Sequence, residues 1–240
     1  MSATSTTYAG PGYRSEGGCE GASERGFAVA PRKAMPKIIL TRHGHVEGID
    51  PERFRGRAEL PLTALGKAQA KALAGRIAAA WRPKAVYTSP MGRCVATGRE
   101  IAMACGIGDD TLAGLNDLDY GSWQGRAYDE VRTTEAPLFE AWFATPHLVR
   151  FPHGESLQDL VARTADGLRF VIERFPAAAE VVVLVGHDSV NRALLLQLLD
   201  QPLSAYWRLA QSPCGLNEID IVDGRIRVLS INETRHLDGI

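Results

Sequence analysis

Residues 37–45 read Lys-Ile-Ile-Leu-Thr-Arg-His-Gly-His, a short β-branched run that closes on an arginine and a histidine at a glycine turn. The apolar centre is continuous and does not alternate, which predicts a strand over Lys37–Thr41 buried on both faces, as in parallel sheets. Arg42 and His43, adjacent at the carboxyl end of such a strand, make a place to hold an anion and attack it. The run Val-Val-Val-Leu-Val over Val181–Val185 repeats the design and ends in Gly186-His187-Asp188. Between the two, Ala85-Val86-Tyr87-Thr88 reads as a strand. Ser89 as N-cap and Pro90 at the first helical position then open a helix to about Ala104 that carries Arg93 in its first turn.

Outward from these three strand ends, the loop 44–62 leads to Thr63, a candidate N-cap. Ala70, Leu73, Ala74, Ile77 and Trp81 then recur at helical spacing down to Pro83. Strand followed by helix, twice over, is the pattern of βαβ construction. Leu112–Leu118 reads as strand or extended loop, Tyr120–Gly125 as a glycine-bounded turn, and Ala127–Phe143 as two short helices. Glu155–Phe175 is a helix with Leu157, Leu160, Val161, Thr164, Leu168, Val171, Ile172 and Phe175 on one stripe. A further helix runs from about Asp188 to Leu199, and Gly215–Ile221 with Arg225–Ile231 form a β-hairpin around Asp223-Gly224. The expected fold is α/β, a three-layer α/β/α arrangement with a mostly parallel sheet and a C-terminal hairpin. In open sheets of this kind ligands gather outside the carboxyl ends of the strands, so both histidines belong to one crevice.

Composition narrows the partners. The 240 residues are 45% hydrophobic and 23% charged, as in a soluble globular protein. A net charge of −1 supplies no general attraction for nucleic acid or an anionic membrane, and no apolar run approaches a membrane-spanning length of about 18 residues. Cys19, Cys94, Cys105 and Cys214 show no C-x-x-C spacing, which favours reduced thiols in the cytoplasm over disulfides or zinc. Residues 1–34 are rich in Gly, Ser, Thr and Ala without periodicity and read as a disordered tail; Gly26–Ala30 is too short for the apolar segment of a secretory signal. Met35, directly before the first strand, marks an alternative start of the natural product. Residues 35–240 are expected to form a single domain with a helical insertion at about 126–154.

Two arginines, two histidines and a nearby carboxylic acid, without a metal-ligand cluster, suit covalent phosphoryl transfer through histidine. Arginine presents a planar fork of donors to phosphate oxygens. One imidazole attacks phosphorus, while the arginines and the second imidazole neutralise the equatorial oxygens. Asp117 in Leu115-Asn116-Asp117, with Asp119 behind it, is the candidate that protonates the leaving oxygen. No metal or organic cofactor is needed.

From about residue 36 to 237 the chain resembles the histidine phosphatase superfamily in its phosphoglycerate mutase-like branch. The resemblance rests on Arg42-His43-Gly44, Pro61-Leu62-Thr63-x-x-Gly66-x-x-Gln69-Ala70, Ser89-Pro90-x-x-Arg93-x-x-x-Thr97, Leu115-Asn116-Asp117-x-x-Tyr120-Gly121-x-Trp123-x-Gly125, His153-Gly154-Glu155-Ser156, Gly186-His187 and Asn232-x-Thr234-x-His236-Leu237. It implies His43 as nucleophile, Arg42, Arg93 and His187 as holders of the phosphoryl group, and Asp117 in the acid/base position, with His187 counted among the catalytic residues as well. Three positions depart from the family. Asp117 stands where glutamate is usual, His45 follows Arg42-His43-Gly44 in place of Glu or Gln, and Ile49 occupies a position where many mutases have a substrate-binding asparagine. The insertion also lacks the Arg-Arg pair that grips a second anionic group in mutases. His45, Ile49, Arg55, Gly56 and Tyr120 are the substrate-contact candidates. Arg53, Arg55 and Arg57 either meet substrate or form a solvated face, Trp123 packs near the acid, and His147, His153 and His236 are structural. The expected function is a phosphomonoesterase acting on a small phosphorylated metabolite through a phosphohistidine, with a phosphoglycerate-type mutase or a phosphate-binding pseudoenzyme as alternatives.

Overall fold

The computed structural model describes residues 35–176, 180–222 and 224–240; the tail assigned to residues 1–34 and the turn residue Asp223 lie outside them. In chain order the elements are β1 (Lys37–Arg42), α1 (Ala64–Ala80), β2 (Pro83–Thr88), α2 (Gly92–Cys105), β3 (Asp109–Thr111), α3 (Tyr128–Thr134), α4 (Ala136–Ala144), α5 (Leu157–Arg174), β4 (Val181–Gly186), α6 (Asp188–Leu198), β5 (Leu216–Val222) and β6 (Arg225–Glu233). The six strands form one sheet in the order β3-β2-β4-β1-β5-β6. The first four are parallel, and the hairpin β5-β6 runs antiparallel along the far edge.

β1 and β4 pair in parallel from Lys37 opposite Val181 to Arg42 opposite Gly186, so the residues that follow, His43 and His187, leave the sheet at the same level. Both strands are buried on both faces, as their unbroken apolar runs predict. Alternate residues divide between two cores. Ile39, Val86, Val183 and Val185 pack with Leu73, Ile77 and Ile101 of α1 and α2. Ile38, Leu40, Tyr87, Val182 and Leu184 pack with Leu157, Leu160, Val171 and Leu194 of α5 and α6 and with the insertion. This is the α/β/α layering, with helices covering both faces of a mostly parallel sheet.

Three local expectations are corrected. α2 begins at Gly92 with Met91 as N-cap, and the Ser89 hydroxyl, ahead of the helix, accepts from Met91 N at 3.3 Å and bonds His187 Nε2 at 2.8 Å. Leu112–Leu118, read as strand or extended loop, is the loop and not the strand. A single 3-10 turn at Ala113–Leu115 lies there, packed so closely that a Cβ on Gly114 would stand 2.8 Å from the Arg163 carbonyl oxygen. The strand is Asp109–Thr111, a three-residue edge element whose two acids carry no apolar signal. The long helix begins at Leu157, capped by a reciprocal box between Ser156 and Asp159, which leaves Glu155 outside the helix.

The turn after β1 is pinned by glycine contacts. A Cβ on Gly44 would lie 2.4 Å from the Gly66 carbonyl oxygen, and one on Gly66 would lie 2.1 Å from the His45 carbonyl oxygen. Backbone therefore crosses backbone without side chains between, just where Thr63 caps α1 and its own N–H donates to the His45 carbonyl at 3.1 Å. Gly66→Ala has no room to relax against backbone atoms. It is expected to cost about 2 kcal/mol or more and to lower the thermal midpoint by ~4–8 °C, measurable by calorimetry against the wild-type chain.

Candidate active site

His43 is buried at the end of β1. Its Nδ1 lies 2.7 Å from the Gly44 carbonyl oxygen, which can only accept, so Nδ1 carries the proton. Burial, and then the charges of His187, Arg42 and Arg93, push its pKa well below the usual 6.5. The ring is thus neutral near pH 7 with an unprotonated Nε2. His187, its ring centroid 5.2 Å away in an edge-on arrangement, is held in the same state by burial and by Arg93 and Arg42. Arg93 Nε donates to His187 Nδ1 at 3.3 Å, so His187 Nε2 is the protonated nitrogen and donates to Ser89 Oγ at 2.8 Å.

The arginines differ in how much donor capacity they leave free. Arg93, fully buried in the first turn of α2, donates from Nη1 to the Ala58 carbonyl (2.8 Å) and from Nη2 to the Gly56 carbonyl (2.6 Å) and Asp117 Oδ2 (2.9 Å). Arg42 donates from Nη1 to the Gln211 carbonyl at 2.6 Å, and the Gln211 side chain is fixed by Asn191 and Asn217. Its Nε is buried without any partner among the described residues. A buried orphan donor is costly and scarce in native proteins, and one beside an imidazole with a free lone pair is a seat for an anionic oxygen.

Asp117 lies against both helices that bear the site. Its Oδ1 accepts from Leu118 N (2.9 Å) and from the Ser189 hydroxyl in the first turn of α6, while Oδ2 accepts from Arg93 and lies 3.3 Å from His187 Nδ1. A second layer holds this loop. Arg163 donates to the carbonyls of Gly114, Asn116 and Asp117 and pairs with Glu155 at 2.9 Å. Arg57 donates to the Asp117 carbonyl (3.2 Å), to Asp119 Oδ2 (3.2 Å) and to Glu155 Oε1 (2.9 Å).

Arg42, His43, Arg93, Asp117 and His187 therefore meet in one place, as their strand ends predict. Gly56 takes part through its carbonyl, and Arg55 stands near enough for its charge to act on Arg42 and His187. Tyr120 joins the aromatic wall with Phe54, Trp142 and Phe151, and burial holds its hydroxyl well above the usual pKa. His45 and Ile49 are engaged elsewhere. The His45 ring bonds Thr63 Oγ1 at 3.0 Å, and Ile49 packs into the core of α1 and α2. Asp119 is taken by Arg57 and Gly121 N, and the part-exposed Arg57 is tied into the second layer by the Asp117 carbonyl, Asp119 and Glu155. Ser189, Arg163 and Gln211 carry no role in the sequence reading, Ser89 enters it only as an N-cap and a motif residue, and Glu155 only as a helix start and a motif residue. The available signals were slight: Ser189 lies two residues past His187 at a helix start, and Glu155 precedes Arg163 by eight residues. Among the described residues no group of three His, Cys, Asp or Glu side chains has the arrangement of a metal site.

Comparison with known proteins gives the same outline. The model of the histidine phosphatase superfamily (branch 1) matches residues 38–234. Phosphoserine phosphatase 1 of Hydrogenobacter thermophilus is 32% identical over 203 residues, covering 85% of this chain and 95% of that one. The probable phosphoglycerate mutase GpmB of Yersinia enterocolitica is 30% identical over 210 residues, covering 85% and 96%. Among solved structures, Bacillus stearothermophilus YhfR superposes with a TM-score of 0.79 at 26% identity, over 84% of this chain and 99% of that one.

The depressed pKa values of His43, His187 and the half-buried His236, each lowered first by burial, set the sign of a pH effect. Below about 6.5 the unfolded chain takes up protons on these rings that the native chain refuses, so stability present at neutral pH is lost as the pH falls towards the native-state values. The urea midpoint is expected to drop between pH 7.5 and 5.5, and the drop is expected to shrink in a His43→Gln, His187→Gln double variant.

Proposed function

The chain belongs to the histidine phosphatase superfamily, and on that premise we propose that it is a phosphomonoesterase, releasing inorganic phosphate from a small phosphorylated metabolite through a phosphohistidine on His43. The observation that carries the proposal is the pairing of a neutral His43, its Nε2 lone pair free, with the unpartnered buried Nε of Arg42. Nε2 attacks phosphorus in line. The P–O ester bond breaks, its electron pair stays on the ester oxygen, and that oxygen takes a proton from Asp117. Arg42 Nε and Arg93 neutralise the equatorial oxygens, joined by His187 once its Nε2–H turns from Ser89 Oγ to the phosphoryl group. Leu118 N and Ser189 both donate to Oδ1, so Oδ2 is the oxygen through which the proton passes, and the arriving phosphate competes with it for Arg93. The proton that Asp117 gives up is replaced from the attacking water in the second half. In the second half, Asp117 takes a proton from water, the water oxygen bonds phosphorus, and the P–N bond breaks to restore His43.

Hydrolysis is favoured over mutase chemistry because the insertion offers no free grip for a second anion. Arg126 is paired with Glu130 and Glu135, Arg132 with Asp129 and Arg150 with Asp159. The relative named a phosphoserine phosphatase makes phosphoserine a first compound to assay. We place the activity in the cytoplasm, in keeping with the unpaired thiols of Cys94, Cys105 and Cys214, and take residues 35–240 as one catalytic domain.

The purified chain is expected to hydrolyse an activated aryl phosphate in the presence of EDTA, and His43→Ala to lose about 1,000-fold or more in kcat. Full activity in that variant would remove His43 as nucleophile. Asp117→Asn is expected to cost ~100-fold on an alkyl phosphate, whose leaving group needs the proton, and much less on an aryl phosphate; equal losses on both would assign Asp117 a purely structural role.

A further inference from the structure

Asp188 is a charged group beside the phosphate seat to which the proposed chemistry gives no task. It follows His187 directly and opens α6. Its Oδ1 accepts from Arg192 Nε at 3.2 Å, pairs with Arg192 Nη2 at 3.1 Å, and lies 3.9 Å from Arg42 Nη1. Arg192 is itself fixed one helical turn away. Its guanidinium stands 5.3 Å from the ring centroid of Tyr206 and 4.8 Å from that of Trp207, and its Nη1 donates to the Tyr206 carbonyl at 3.4 Å. The carboxylate is thus held from behind through one oxygen. Among the described residues Oδ2 has no partner, and the side chain is 25% exposed. Through Arg192 it borders Tyr206, whose ring lies 5.2 Å from that of Trp142, and Trp142 in turn meets the substrate-contact candidate Tyr120 at 6.2 Å.

A carboxylate so close to an arginine that must hold a dianion weakens phosphate binding, and it repels any second anionic group that a substrate brings near it. The unfavourable charge becomes favourable when the leaving alcohol carries a cation next to the ester. Resting on the phosphomonoesterase reading, we propose that Asp188 reads a protonated amine on the leaving group, so that the preferred substrates are phosphate monoesters of amino alcohols and hydroxy amino acids. The ammonium binds at Oδ2 while Oδ1 stays with Arg192. Arg55, whose field like that of Arg192 reaches Arg42 and Tyr128, supplies positive charge near the same space and tolerates a carboxylate on such a substrate. Asp188 on this reading sets specificity and touches the substrate away from the reacting atoms.

The test compares O-phosphoethanolamine with n-propyl phosphate, which has nearly the same shape with a methyl in place of the ammonium. The wild-type chain is expected to favour the amine by about 10- to 100-fold in kcat/KM, the scale of one well-placed charge contact. Asp188→Asn, isosteric and still able to bond Arg192, is expected to bring that ratio close to one. O-phosphoserine is expected to lose with O-phosphoethanolamine. A wild-type ratio near one, or a preference that survives in Asp188→Asn, overturns the proposal. Equal loss on both esters also overturns it, since that is the signature of a residue that only positions Arg42. Absence of turnover on these esters and on an aryl phosphate by the wild-type chain would instead sink the phosphomonoesterase reading beneath it.

Discussion

A guanidinium with no exposed surface sits at the centre of this molecule, and much of the site is arranged to make its burial tolerable. Removing an arginine from water costs several kcal/mol unless its donors and its charge are matched. Arg93 meets that requirement with partners from three other parts of the chain: the carbonyls of Gly56 and Ala58 in the loop after β1, Asp117 in the loop before the insertion, and His187 at the end of β4. Each partner is in turn held by something else. Gly56 lies in a left-handed turn at φ 47°, where a Cβ would press within 2.8 Å of the Gln124 side chain. Asp117 is gripped through its carbonyl by Arg57 and Arg163, and His187 is tied to Ser89. Loss of one contact exposes the rest to an unmatched buried charge, which makes the phosphate seat cooperative.

The electrostatics follow from the same burial. Both imidazoles are kept neutral because a cation in that dry, arginine-rich space is disfavoured, and this is the state that the proposed chemistry requires of them. The positive charge in the same space comes from Arg42 and Arg93, the second of which is paired with Asp117.

Much of the architecture was legible in the chain. The uninterrupted apolar runs at residues 37–41 and 181–185 could only be strands covered on both faces, and Arg42-His43 and Gly186-His187 at their ends had to emerge side by side once those strands paired in parallel. The same logic brought in Arg93 one turn into the next helix. What escaped were choices of partner. Ser89 resembles an N-cap, yet its hydroxyl, besides accepting from Met91 N ahead of the helix, bonds the imidazole of His187, 98 residues away. Asp109–Thr111 forms a strand because it is the next edge available to β2, although nothing in Asp-Asp-Thr favours one. Arg57 reads as one of three loop arginines that meet substrate or solvent, and only the arrival of Glu155 and Asp119 from a distance ties it to the loop of Asp117. Local pattern records propensity and burial; it does not record which distant carboxylate an arginine will find.

The insertion is fastened at both of its roots and bonded mainly to itself in between. Arg53 bridges to Ala127 at its start and Arg150 to Ser156 at its end, while Arg126, Arg132 and Trp123 settle their polar groups on Glu130, Glu135 and Asp129. None of the phosphate-seat hydrogen bonds passes through α3 or α4. The insertion's apolar contacts do reach outward, for Val131, Phe139 and Trp142 share one core with Leu115, Leu118 and Leu184. A change of length or aromatic lining between those roots is therefore felt at the sheet end through packing, as a shift in shape, while the hydrogen bonds around Arg93 keep their partners.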